Sequence, residues 1–175
     1  MKKEYDNYLC RAFPKMYRNR NKGPEETCLY WGLAVGDGWY NIIHGLSLMI
    51  QSHIDNRTRE RWRIRQGKRK YAKMSAGDQI RYNHLNDDMP KRIKQVIVDQ
   101  VKEKFGTLRF YYHGGDKAVG HYVNLADAMS SITCEDCGAP GKIGGAAWVS
   151  VKCDKCRISD EIVVTPINKD DIEGK

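Results

Sequence analysis

The chain has 175 residues, 41% hydrophobic and 30% charged, with a formal charge of +8 and a pI of about 9.2. That is the composition of a globular protein with a well-solvated surface, and it excludes wholesale disorder. It also excludes an apolar membrane span, which needs about 18 uninterrupted apolar residues, since the most apolar run, Ile42 to Ile50, is broken by His44, Gly45 and Ser47.

The start, MKKEYDNYLC, places Glu4, Asp6 and Asn7 where a signal peptide needs an apolar run, so a cytoplasmic location is expected. Residues 1–30 are polar, turn at Gly23-Pro24 and hold no long periodic stretch, which predicts an arm. From Asp37, a plausible N-cap, the residues Trp39, Ile42, Ile43, Leu46, Met49, Ile50 and His53 or Ile54 recur at helical spacing, predicting a helix over about 38–55.

A basic segment follows, with nine Lys/Arg against Glu60 between Arg57 and Lys73, a local excess of +8 that equals that of the whole chain. Arg57, Arg59, Arg61, Arg63 and Arg65 stand at every second position around Trp62 and Ile64, and Lys68, Arg69 and Lys70 extend the patch. An extended segment would show the five arginines on one face, whereas a helix would wrap them around its cylinder. Such a concentration suits a polyanionic partner, although a solvated loop serving solubility has the same composition.

Residues 75–86 read as a short helix capped by Ser75 or Asp78, ending before Asp87-Asp88-Met89-Pro90. The stretch RIKQVIVDQVKEKFGTLRFYYH, residues 92–113, predicts a β-hairpin broken at Gly106. Its core face would carry Val101, Phe105, Leu108, Phe110 and Tyr112, and its other face Gln100, Lys102, Lys104, Arg109, Tyr111 and His113, a basic and aromatic platform. Glu103 falls on the core side by this count, which demands a cationic partner or a bulge. A helix near 117–131 follows, with Val119, Tyr122, Leu125, Ala126 and Met129 on one side.

Cys134 and Cys137, then Cys153 and Cys156, form two C-x2-C pairs separated by fifteen residues. Each pair delivers two thiolates to one ion, and two pairs complete a tetrahedral shell at about 2.3 Å, so the spacing predicts one structural Zn²⁺ with no position open for water. A redox dithiol or an iron site uses the same ligands. Gly138 suits a knuckle that needs positive φ, and Cys10 and Cys28 read as ordinary buried thiols.

The expected fold is α+β: a helix-plus-antiparallel-hairpin core over 1–130 with a basic insertion at about 57–73, a four-cysteine zinc ribbon or treble-clef-like module over 131–165, and a flexible tail over 166–175. Read together, GDGWYNII, QVKEKFGTLRFYYHGGD, ADAMSSITCEDCGAPGK and GGAAWVSVKCDKC resemble a group of small uncharacterised proteins of bacteriophages and bacteria. Those proteins pair a V-K-E-K-F-G-x-L-R-F-Y hairpin and a helix with a zinc-ribbon or treble-clef-like end. The resemblance covers about residues 36–156, apart from the basic stretch Arg57 to Asp88, and implies the architecture and a phage origin but no activity. The second pair here is C-D-K-C rather than a C-x-x-H type pair, and both ligate zinc.

A His-Asn-His nuclease on a zinc-knuckle frame would place its catalytic residues between the two pairs, and residues 138–152 contain no His and no Asn. His113, Asp116, His121 and Asn124 read as surface residues, and no Ser-His-Asp order, phosphate loop or dinucleotide fingerprint is present. The sequence therefore favours a non-catalytic binder of nucleic acid through the basic segment. The alternative is a host-directed inhibitor that sequesters an anionic nucleotide through the hairpin platform or binds a host protein.

Overall fold

The computed structural model describes residues 1–145 and 149–163. The order is α1 (Lys3–Ala12), α2 (Tyr40–Tyr71), α3 (Ala76–Arg81), β1 (Lys94–Lys104), β2 (Thr107–Gly115), α4 (Lys117–Ser130), β3 (Lys142–Gly144), β4 (Ser150–Lys152) and α5 (Asp154–Val163), with short 3-10 turns between. The fold is mixed helix and small antiparallel sheet. No described helix is long and apolar enough to cross a membrane. The charged tail expected over 166–175 lies outside the described residues.

The core forms where α2 lies on the hairpin. Ile42, Ile43, Leu46, Ile50 and Ile54 of α2 are buried at the expected helical spacing, together with Trp39 just before it. Ile54 rather than His53 continues the stripe, and Met49 turns to solvent. Asp37 does not cap α2. Its carboxylate instead accepts the backbone N–H of Lys2 at 2.5 Å and pairs with that residue's ammonium.

The first thirty residues are part of the core rather than an arm. Leu9, Phe13, Met16, Tyr17 and Leu29 are buried, and the Tyr17 hydroxyl shares a 2.9 Å hydrogen bond with Ser47 of α2. This segment and the residues just after it close the outer edge of β1: Val98 N–H donates to Met16 O, Ala34 N–H to Val101 O, and Glu103 N–H to Ala34 O. An edge strand's free N–H and C=O groups are thereby used inside the chain, which removes a template for aggregation.

β1 and β2 pair in antiparallel register with Lys102 opposite Arg109 and Glu103 opposite Leu108. Val101, Leu108 and Phe110 are buried as expected. Phe105 is not a core residue. It occupies the turn with φ +55° and is 70% exposed, because the two-residue connection needs positive φ at both Phe105 and Gly106. Among the described residues no cation pairs with Glu103. Its carboxylate accepts the Gly106 N–H at 2.5 Å, while the register shifts occur near Lys94–Ile97 and Val98–Gln100.

Asp116 caps α4 by accepting the N–H groups of Ala118 and Val119. Val119, Ala126 and Ser130 are the buried residues of α4, whereas Leu125 and Met129, expected on the packed side, are about half exposed. Ser130 takes that inward place because its hydroxyl accepts the Leu108 N–H at 2.8 Å and donates to Asp127 O. Cys10 is half-buried and Cys28 is exposed, so the second is not a buried thiol.

Candidate metal centre and basic face

The first knuckle is built by the backbone. Cys134 N–H donates to Ala139 O at 2.7 Å and Gly138 N–H to Cys134 O at 2.9 Å, closing a tight loop that Gly138 completes at φ +78°. Most residues with a Cβ are strained at that angle, so glycine fits the need. β3 and β4 then return the chain, with Ile143 opposite Val151, and Glu135 N–H donates to Val151 O to hold the knuckle on that hairpin. Cys153 precedes α5 and Cys156 lies in its first turn.

The four Sγ atoms lie within 4.8 Å of one another, with Cys137 and Cys153 3.6 Å apart. Sulfurs about 2.3 Å from one tetrahedral ion stand about 3.8 Å from each other, so the donor set fits a single metal ion. Among the described residues these cysteines form the one group of three or more His, Cys, Asp or Glu side chains placed to hold a metal. Cys134 is fully buried and Cys137 exposed. The Cys156 amide, hydrogen-bonded to the Cys153 sulfur, leads the effects that bring that thiol down to about 7. Cys156 is pushed up, first by its bond to Cys153 and then by Cys137. A bound cation requires its sulfurs as thiolates, so metal binding would release the protons these thiols carry.

The module docks on the head of α2. Gly36 N–H donates to the Glu135 carboxylate at 2.8 Å, Gly38 N–H to Glu135 O at 2.7 Å, and Trp39 Nε1–H to Thr133 O at 2.8 Å. A Cβ on Gly38 would lie 2.2 Å from Cys134 O, so this approach requires glycine. Burial raises the Glu135 carboxyl despite the Gly36 N–H.

The basic segment is helical, the 32-residue α2 running on through it. Arg, Lys and Gln are good helix formers, and Pro is absent until Pro90. The arginines do not wrap evenly, because the run after α2 folds back and its turn at Asn83–Asn86 packs on one side of the helix. Arg57, Arg61, Ile64, Lys68 and Tyr71, spaced by three or four residues, are partly covered, as are Gln66 and Gly67 beside Lys68. Arg61 donates to Pro90 O, and Arg57 pairs with Glu60. The opposite face leaves Arg59, Trp62, Arg63, Arg65, Arg69 and Lys70 exposed, Trp62 at 61%. Arg92, which sequence reasoning missed, lines a 330 Å³ cleft with Thr58, Arg61, Trp62 and Arg65. Only the folding-back of the chain brings it there, and no spacing rule in the sequence signals that.

The hairpin platform is largely paired within the molecule. Arg109 meets Asp127 at 3.0 Å and Thr107 Oγ1 at 2.5 Å, and His113 meets Asp99 at 3.0 Å beside the irregular register. The Lys102 ammonium stands 5.4 Å over the Tyr111 ring and that of Lys104 5.3 Å over Phe105. Asp116 is bonded to His53 at 3.1 Å, whereas His113 is bonded to Asp99. No protein-family model, curated protein or solved structure matches the chain.

Proposed function

We propose that the chain is a non-catalytic nucleic-acid-binding protein whose C-terminal end is held by one structural zinc ion, as in the phage-type group it resembles. The observation that carries the binding role is the outward face of α2: Arg59, Arg63, Arg65, Arg69 and Lys70 surround exposed Trp62, and the nearby acid Glu60 is taken by Arg57. Cations spaced along one helix face meet successive phosphates, and an exposed indole gives a base a stacking surface. The hairpin platform competes poorly for the same role, since Asp127 and Asp99 already answer Arg109 and His113.

Zinc is favoured over other metals by four thiolates in a tetrahedral set, and a reducing cytoplasm keeps those thiols available. A knuckle, a short hairpin and a second pair at the start of a helix, Cys153 just before it and Cys156 in its first turn, are the parts a treble-clef-like module would need. With sulfur at all four positions the ion has no place for a reacting water, so its role is to fold the module and seat it on α2.

The test is fluorescence anisotropy of a labelled single strand of about 20 nucleotides with zinc-loaded protein at low and high salt. Saturable binding that weakens steeply with salt is expected. Binding absent at low salt, or insensitive to salt, rejects the reading.

A further inference from the structure

The N-terminal segment borders a second cationic site, open to solvent and remote in sequence from the basic helix. Asn7, Cys10 and Arg11 of α1, with Arg18, Arg20 and Asn21 of the following turns, line a cavity of about 450 Å³. Its fixed charge is Arg20. One end nitrogen of that guanidinium donates to Tyr30 O at 2.9 Å and the other to the buried Asp6 carboxylate at 2.7 Å. The remaining Nε–H is buried and finds no hydrogen-bond acceptor among the described residues. An unsatisfied buried donor leaves the charge of Arg20 incompletely compensated, and an anion in the cavity offsets that charge through space.

The rest of the lining is cationic or neutral. Arg11 and Arg18 are exposed and have no ion-pair partner among the described residues. Burial pushes the Cys10 thiol up to about 12, so it stays neutral and cancels none of this charge. Asp6, the one acid beside Arg20, is spent on it. Three arginines thus line one cavity whose lining holds no carboxylate, a charge balance that favours an anion there.

We propose that this cavity binds a small phosphate ester, with Arg11 and Arg18 donating to the phosphate oxygens, Asn7 and Asn21 supplying neutral hydrogen bonds, and Arg20 providing a positioned charge. Guanidinium groups match phosphate oxygens in pairs, which a simple point charge does not. The volume exceeds what a bare phosphate fills and lies within the range of about 300 to 1,000 Å³ typical of small-molecule sites, so a ligand of mononucleotide size is the better fit. The site stands or falls separately from the nucleic-acid face of α2.

Titration calorimetry of the full-length, zinc-loaded protein tests it, with adenosine monophosphate, inorganic phosphate and adenosine as probes at constant ionic strength. Adenosine monophosphate is expected to bind one per chain, phosphate to compete more weakly, and adenosine to give no heat. Arg11→Ala with Arg18→Ala should weaken nucleotide binding by about tenfold or more, while Arg63→Ala with Arg69→Ala on α2 should leave it unchanged. In the wild type the Arg20 Nε–H resonance should shift on saturation, a readout that needs no variant. No saturable binding, unchanged affinity in the Arg11 and Arg18 variant, loss of binding in the α2 variant, or an unmoved Arg20 resonance would each overturn the assignment.

Discussion

The Nε1–H of Trp39 donates to the carbonyl oxygen of Thr133 at 2.8 Å, so a fully buried indole at the head of α2 is bonded to the residue just before the first C-x2-C pair. The order of the cysteine module is therefore felt inside the core. Cys134→Ser should reduce bound zinc from one per chain to near zero and expose the amides of 133–157 to hydrogen exchange. The β1 and β2 amides should stay protected, because Val98, Val101, Leu108 and Phe110 pack on α2 and α4 independently of the metal. The Trp39 indole resonance should move as its acceptor is lost. Full folding of purified wild-type protein with no bound metal would end the zinc assignment.

The two faces of β2 make a contrasting pair of substitutions. Phe110 is buried among core side chains, and Phe110→Ala should cost about 3 to 5 kcal/mol in urea unfolding by leaving a cavity. Arg109 and Asp127 are each about a third or more exposed, so Arg109→Ala should cost about 1 kcal/mol or less. Equal costs at both positions would mean that the register of the hairpin is wrong.

What the sequence makes legible is what local chemistry decides. The Cys134, Cys137, Cys153 and Cys156 spacing, the turn at Gly106 and the α2 stripe from Ile42 to Ile54 each state their structure within a few residues. The N-terminal packing does not, because α1 ends at Ala12 and the chain buries Met16, Tyr17 and Leu29 from turns, where no periodic signal survives. Leu9, Phe13 and Met16, spaced by four and three, were the available hint. Arginines at every second position mimic a strand, and only the summed preference of Arg, Lys and Gln for helix, with the return of the chain over one side, resolves which of them stay free. Ser130 in place of Met129 on the inner side of α4 is decided by one hydrogen bond to Leu108, which hydrophobic patterning cannot register.

Asp116 gives a pH-dependent prediction. Burial acts to raise its carboxyl, but the His53 hydrogen bond and the Val119 and Ala118 amides outweigh it and hold the group below the usual range. A carboxyl depressed in the folded state contributes its full stability above the unfolded value of about 3.9 and loses it as pH falls through the folded value. Asp116→Asn keeps an N-cap acceptor but no charge. The variant should therefore be less stable than wild type near neutral pH, with the gap closing as pH falls below about 4. Urea unfolding at both pH values measures it, and a gap that stays constant would show that the carboxylate charge is not responsible.

The exposed face of α2 separates charge from stacking in one set of variants. Each arginine that neutralises a phosphate on a single strand contributes about −0.7 to the slope of log affinity against log salt, through counterion release. Replacing Arg63, Arg65 and Arg69 with Ala should therefore flatten the slope by about two units if all three touch phosphate. Arg57→Ala should change it little, since Arg57 is held by Glu60, and Arg61, bonded to Pro90 O, is the less informative choice for the same reason. Trp62→Ala removes no charge, so it should lower affinity by about 1 to 3 kcal/mol while leaving the slope intact. None of these changes should alter sequence preference, because phosphate contacts and stacking carry little base information. A triple arginine variant that binds as tightly as wild type at low salt, with the same slope, would reduce this face of α2 to a solvated surface and remove the basis for the nucleic-acid reading.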